Sequence, residues 1–154
     1  MEIRKAVKED SAAVGRLLYQ IHGVHAAARP DLFVPGRRKY DEERLPELFE
    51  DPLRPVYVAE EAKEVCGYIF MVIKQETDPS HVPVKTLYID DLCVDERARR
   101  KGVGTALMDF AKEYAKNAGC YDLTLNAWAC NPGAVSFYES CGMKIRKYGM
   151  ELIL

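Results

Sequence analysis

The sequence predicts a mixed α/β fold in one domain over 1–154: a central mixed six- to seven-stranded sheet with helices on both faces. Three observations carry this. Strand-like and helix-like runs alternate in the order β-α-α-β-β-β-α-β-α-β(-β). The stretch from Val56 to Ile73 reads as an antiparallel hairpin. A strand, helix, strand crossover around Gly102 requires parallel pairing of the flanking strands.

Glu2 to Val7 opens as a strand, with Ile3 and Val7 as its apolar positions. Asp10 or Ser11 caps the next helix, where Val14, Leu17, Leu18 and Ile21 recur at helical spacing. Gly23 weakens that helix and Arg29-Pro30-Asp31 ends it, leaving Leu32 to Tyr40 as loop. Asp41 to Phe49 forms a short second helix with Leu45, Leu48 and Phe49 inward, stopped by Asp51-Pro52. Val56 to Ala59 and Val65 to Ile73 are strands on either side of the polar turn Glu61 to Glu64. Thr77-Asp78-Pro79-Ser80 punctuates before the strand Lys85 to Val94. Gly102 to Ala118 is a long amphipathic helix closed by Asn117 and Gly119. Tyr121 to Ala127 is a strand, Asn131-Pro132 starts a helix that ends at Gly142, and Met143 to Leu154 supplies a final strand or two.

Composition excludes some function classes. The net charge of −2 provides no electrostatic reason to expect nucleic acid or an anionic membrane surface. The basic cluster Gly36-Arg37-Arg38-Lys39 runs straight into Asp41-Glu42-Glu43 and reads as a solvated loop. No apolar run approaches the ~20 residues that cross a bilayer, and Met1 to Lys5 lacks the apolar region of a signal peptide. Five scattered cysteines without a C-x-x-C pair read as reduced thiols of a cytoplasmic protein. His22, His25 and His81 form no metal constellation, so no metal is expected.

The most specific stretch is Arg99-Arg100-Lys101-Gly102-Val103-Gly104, set between a strand and a helix. A glycine-bearing turn that opens a helix leaves backbone N–H groups unpartnered at the positive end of the helix dipole, which suits an anion such as phosphate. A P-loop would need G-x-x-x-x-G-K-[ST], which is absent. A dinucleotide fingerprint would need another small residue where Leu107 stands, and it belongs on a domain's first strand.

Arg99-x-x-Gly102-x-Gly104 matches the [QR]-x-x-G-x-[GA] signature of the GCN5-related N-acetyltransferase (GNAT) family. Asn131-x-x-Ala134-x-x-Phe137-Tyr138-Glu139-x-x-Gly142-Met143 resembles that family's second motif, at the right distance downstream. The element order is similar to the family's fold over essentially the whole chain. The resemblance implies an acetyltransferase that takes acetyl-CoA as co-substrate. The donor would lie along Leu92, Cys93 and Val94, on Arg99, Arg100, Lys101, Gly102, Val103, Gly104 and Thr105, and beside Asn131, Phe137 and Tyr138. Gly102 and Gly104 would let the backbone approach the pyrophosphate, and the pantetheine would pair with strand backbone freed at a bulge.

Acetyl transfer to an amine needs a proton acceptor and a proton for the departing thiolate. In the family pattern Tyr138 protonates the sulfur; otherwise it is a packed core tyrosine. Asn131 either bonds near the thioester or caps the Pro132 helix, and both readings can hold. Asp90 and Asp91, adjacent in a strand, should point to opposite faces. Asp90 stands where the similar spermidine/spermine acetyltransferases carry a glutamate, so it is the first candidate for amine handling; Asp91 is its rival, and a water chain is the alternative to both. The acceptor would be read by His25, Arg29, Asp31, Phe33 and Trp128, with Tyr19, His22 and Tyr40 nearby. Arg29 and Asp31 could instead simply pair with each other. A small-molecule amine fits better than a protein tail. A protein N-terminal or lysyl acetyltransferase and a non-catalytic acyl-CoA sensor are the rivals. The resemblance also raises a homodimer through the C-terminal strands, although the apolar tail Tyr148 to Leu154 could equally be an inner strand.

Overall fold

The computed structural model describes residues 1–154. Five strands form one sheet in the order β1-β2-β3-β4-β5. They are β1 (Glu2–Lys5), β2 (Val56–Glu61), β3 (Glu64–Gln75), β4 (Lys85–Val94) and β5 (Asp122–Leu125). The first four pair antiparallel, and β4 pairs parallel with β5. The helix α3 (Val103–Asn117) makes the crossover between β4 and β5, which is why that pair is parallel.

The sheet's two faces carry separate cores. Ile69, Met71, Leu87 and Ile89 pack with Val103, Leu107, Met108 and Ala111 of α3, and α4 (Pro132–Ser140) adds Phe137 and Tyr138 on the same side. On the other face Val56, Val58, Tyr68 and Phe70 meet Val14, Leu17 and Leu18 of α1 (Ser11–Ala28) and Leu45 and Phe49 of α2 (Leu45–Glu50). A fully buried leucine such as Leu17 or Leu107 contributes about 2 kcal/mol from leaving water.

The structure differs from the sequence reading at the start of α1 and at the C-terminal tail. Asp10 does not cap α1; its buried carboxylate accepts the Val7 N–H at 2.9 Å and pairs with Arg4 at 2.7 Å. The helix α1 ends at Ala28, at the predicted Arg29-Pro30-Asp31 stop, with Gly23 inside it. The sheet has five strands, not six or seven, because Met143 to Leu154 forms no strand. Beyond the Met143 N–H no tail backbone donor or acceptor is bonded. The free side of the four-residue β5 offers only a short edge, and Ile145, Tyr148, Met150 and Leu152 stay exposed. No helix is long and apolar enough to cross a membrane.

Candidate active site

The site is built around an irregularity in β4. Phe70 of β3 faces Asp91 and Met71 faces Ile89, so Asp90 is an extra residue with no partner of its own. This bulge reverses the alternation of β4. Leu87 and Ile89 lie in the α3 core, whereas Cys93 lies with Tyr68 and Phe70 in the α1 core. Directly opposed residues share a face, so Asp91 joins Phe70 on the α1 side. Asp90 is bonded from the loop before α2, on that side too. The expectation that the two aspartates point apart is therefore corrected: the bulge turns both toward one cleft. The pairing of β4 with β5 stops at Ile89–Leu125, so from Asp90 to Val94 no strand covers that edge of β4 where the two strands splay.

That edge leads into the glycine loop. Asp95 caps a 3-10 turn by accepting the Arg97 N–H at 3.0 Å, and Gln20 braces the junction by donating to the Val94 carbonyl at 3.0 Å and accepting the Glu96 N–H at 3.2 Å. Arg100 and Gly102 take left-handed backbone, with φ of 62° and 82°. The backbone N–H groups from Arg100 to Thr105 have no partner in the protein, and no side chain caps α3. Arg99, Arg100 and Lys101 are exposed around them. This donor set fits a pyrophosphate. The glycines have different reasons. Gly102 has open space but a φ that disfavours other residues, while a Cβ on Gly104 would meet the Phe137 ring at 3.0 Å. Gly104 thus lets α4 pack closely on α3.

Across the splay, α4 brings Tyr138. Asn131 caps that helix by accepting the Ala134 N–H at 3.2 Å, leaving its NH2 group free of that bond. Phe137 packs against the α3 core, with its ring over Gly104. Burial, reinforced by Asp91, pushes the Tyr138 phenol up to about 12, so it keeps its proton at neutral pH. Burial likewise pushes the Asp91 carboxyl up to about 6, with Lys39 pulling it back and Asp90 adding to the rise. Beside Asp91 lies the hydroxyl of the wholly buried Tyr68. Burial also raises the Cys93 thiol, which stays neutral.

The acceptor side is denser than the sequence suggests. Burial would raise Asp90, but the Tyr40 hydroxyl at 2.6 Å and the Lys39 ammonium at 2.9 Å together hold its carboxyl below the usual range. Phe33 gathers three rings: His25 stacked at 5.3 Å, Trp128 edge-on at 5.4 Å and His22 edge-on at 5.7 Å. Burial, then His22 and Lys39, lowers the titration of His25 and keeps it neutral. Arg29 pairs with Asp31 at 2.7 Å and with Glu151 of the tail at 2.5 Å. The structure thus joins His25, Phe33 and Trp128 in one cluster and Arg29 with Asp31 in a second. No three His, Cys, Asp or Glu side chains converge as a metal site would need.

Four contributors escaped the sequence reading. Lys39 lies on an exposed loop, as its sequence suggests, and from there also bonds Asp90. Tyr68 and Gln20 lie within a predicted strand and a predicted helix, where nothing local singles them out. Glu151 reaches Arg29 across 122 positions, and no local pattern signals that.

The candidate site thus combines an anion-binding loop, an uncovered strand edge, a protonated phenol and two adjacent carboxylates. Comparison with known proteins agrees. Residues 21–143 match the acetyltransferase (GNAT) family, and the chain belongs to that family. It is 33% identical over 143 residues to the uncharacterized N-acetyltransferase YhfO of Bacillus subtilis (strain 168), covering 92% of this chain and 89% of that one. A glucosamine 6-phosphate N-acetyltransferase of Arabidopsis thaliana is 35% identical over 66 residues, 43% of this chain and 42% of that one. The crystal structure of the F44R mutant of the BH1408 protein from Bacillus halodurans superposes with a TM-score of 0.94 at 31% identity, covering 100% of this chain and 99% of that one. The protein is an acetyltransferase.

Proposed function

We propose that this chain, as a single N-acetyltransferase domain, moves the acetyl group of acetyl-CoA to the primary amine of a small molecule by direct attack while both are bound. One observation carries the reading: the bulge turns Asp90 and Asp91 into the same cleft, at the splay of β4 from β5, near a phenol that keeps its proton. The loop N–H groups from Arg100 to Thr105 would hold the pyrophosphate, and the uncovered edge from Leu92 to Val94 would pair with the pantetheine. Bound acetyl-CoA supplies an activated acyl carbon with a thiolate leaving group.

The chain's own groups then divide the proton work. Asp91, titrating at about 6, is ionised at neutral pH yet more basic than an ordinary carboxylate, and takes a proton from the amine. Tyr138 gives its hydroxyl proton to the sulfur and regains one from solvent or the amine. Asp90 carries the negative charge that attracts a cationic acceptor. Phe33, His25 and Trp128 form an aromatic wall, with Arg29 and Asp31 at its rim. The name of the matched glucosamine 6-phosphate N-acetyltransferase supports a small amine as acceptor.

The free cysteines suit the reducing cytoplasm. The exposed apolar tail supports a homodimer that shares this edge, which light scattering would show as twice the monomer mass. Thiol release from acetyl-CoA across a panel of small amines tests the main reading. Turnover that falls in Asp91→Asn and in Tyr138→Phe supports it; acetyl-CoA binding with no turnover on any amine refutes it.

A further inference from the structure

A residue of the chain already stands where an acceptor amine would. Lys39 lies in the segment between α1 and α2. Its Nζ is 2.9 Å from Asp90 Oδ1 and also donates to the Asp90 carbonyl oxygen at 2.9 Å. The same bulge residue thus holds this primary amine by carboxylate and by backbone. Tyr40, the next residue, donates to Asp90 Oδ2 at 2.6 Å, so two successive side chains moor the segment at the cleft. The neighbouring cation Arg38 is turned away and pairs with Glu42 at 3.2 Å. Lys39 keeps 43% of its side-chain surface exposed, so it is not locked into a core. Its charge also acts on Asp91, and the charge of Asp91 acts in turn on Tyr138.

We propose that Lys39 is an internal acceptor: with acetyl-CoA bound and no competing amine, the enzyme acetylates its own Lys39 in cis. This rests on reading Asp90 and Asp91 as the acceptor site. The Lys39 ammonium first gives one proton to Asp91, which passes it to solvent. The Nζ lone pair then forms the N–C bond to the acetyl carbonyl carbon as the C–S bond breaks. The sulfur takes its proton from Tyr138, and the second proton shed by nitrogen restores that hydroxyl. The products are acetyl-Lys39, CoA thiol and one released proton. Acetylation removes the lysine charge and frees Asp90 from its ion pair, leaving its carboxylate for an external cationic amine.

The full-length protein, incubated with acetyl-CoA alone, is digested and analysed by peptide mass spectrometry, with a urea-unfolded sample as control. One acetyl group is expected on Lys39 of the folded protein, while exposed Lys63 and Lys101 stay unmodified. The rate should be unchanged by dilution and should rise with pH, because only the neutral amine attacks. Lys39→Arg should abolish the modification, and Tyr138→Phe should slow it about tenfold or more. The proposal is overturned if Lys39 stays unmodified with acetyl-CoA alone while the same preparation acetylates an amine supplied in a separate reaction. It is also overturned if label spreads evenly over surface lysines, or if the rate grows with protein concentration. If acetyl-CoA binds but neither Lys39 nor any amine is acetylated, the reading of the site fails, and this inference with it.

Discussion

Replacing Asp91 by asparagine should make the protein more stable and the enzyme slower. Burial raises the Asp91 carboxyl from 3.8 to about 6 in the folded chain. A folded value above the unfolded one means that the folded state binds more protons between those two values. The contribution of this carboxyl to stability is therefore present below about pH 4 and is lost as pH rises through about 6. At about 1.36 kcal/mol for each step of the pH scale, the ionised carboxylate costs the fold about 3 kcal/mol at neutral pH. Asparagine has a similar shape and never ionises. Urea denaturation should thus show Asp91→Asn near wild type at about pH 4 and up to about 3 kcal/mol more stable by about pH 8. In a chain of this size that corresponds to about 6 to 12 °C in Tm. Turnover should fall over the same range, because the group that accepts the amine proton is gone. Stability curves for variant and wild type that run parallel from about pH 4 to 8 would refute the reasoning, since they would mean that Asp91 titrates normally.

Three other outcomes follow from single contacts. Tyr138→Phe should lower kcat by about 10²-fold with KM for acetyl-CoA nearly unchanged, since the hydroxyl acts on the leaving sulfur and not in binding; steady-state kinetics check this. Gly104→Ala places a methyl 3.0 Å from Phe137 and should destabilise by about 1–3 kcal/mol and weaken acetyl-CoA binding in calorimetry. Gly133→Ala, whose nearest neighbour would be 3.8 Å away, serves as the control. The β2–β3 turn holds Ala62 and Lys63 at φ of 51° and 66°, a conformation that glycine adopts freely, so Lys63→Gly should raise stability by about 0.5 to 1 kcal/mol in thermal melts.

Much of the framework was legible because it depends on local chemistry. The helix predicted from Gly102 to Ala118 spans Val103–Asn117, and the glycine loop lies at its start with its N–H groups unbonded. The hairpin and the Pro132 helix also form close to their predicted bounds. The two aspartates were misread for a physical reason. Alternation along β4 is a property of one strand, whereas a bulge is a two-against-one count that exists only in the pair with β3. The basic triplet followed by acids does form exposed loop, but its local pattern does not show the contact that Lys39 makes. Only the fold brings Asp90, 51 positions away, beneath it. The tail failed as a strand because its apolar residues satisfy the pattern without a backbone partner.

The most direct test is mass spectrometry of the products formed from acetyl-CoA and a pooled library of small primary amines. At least one N-acetylated small amine is expected, formed by the wild type and strongly reduced in both Asp91→Asn and Tyr138→Phe. Undiminished product with both variants, or bound acetyl-CoA with no acetylated amine at all, would contradict it.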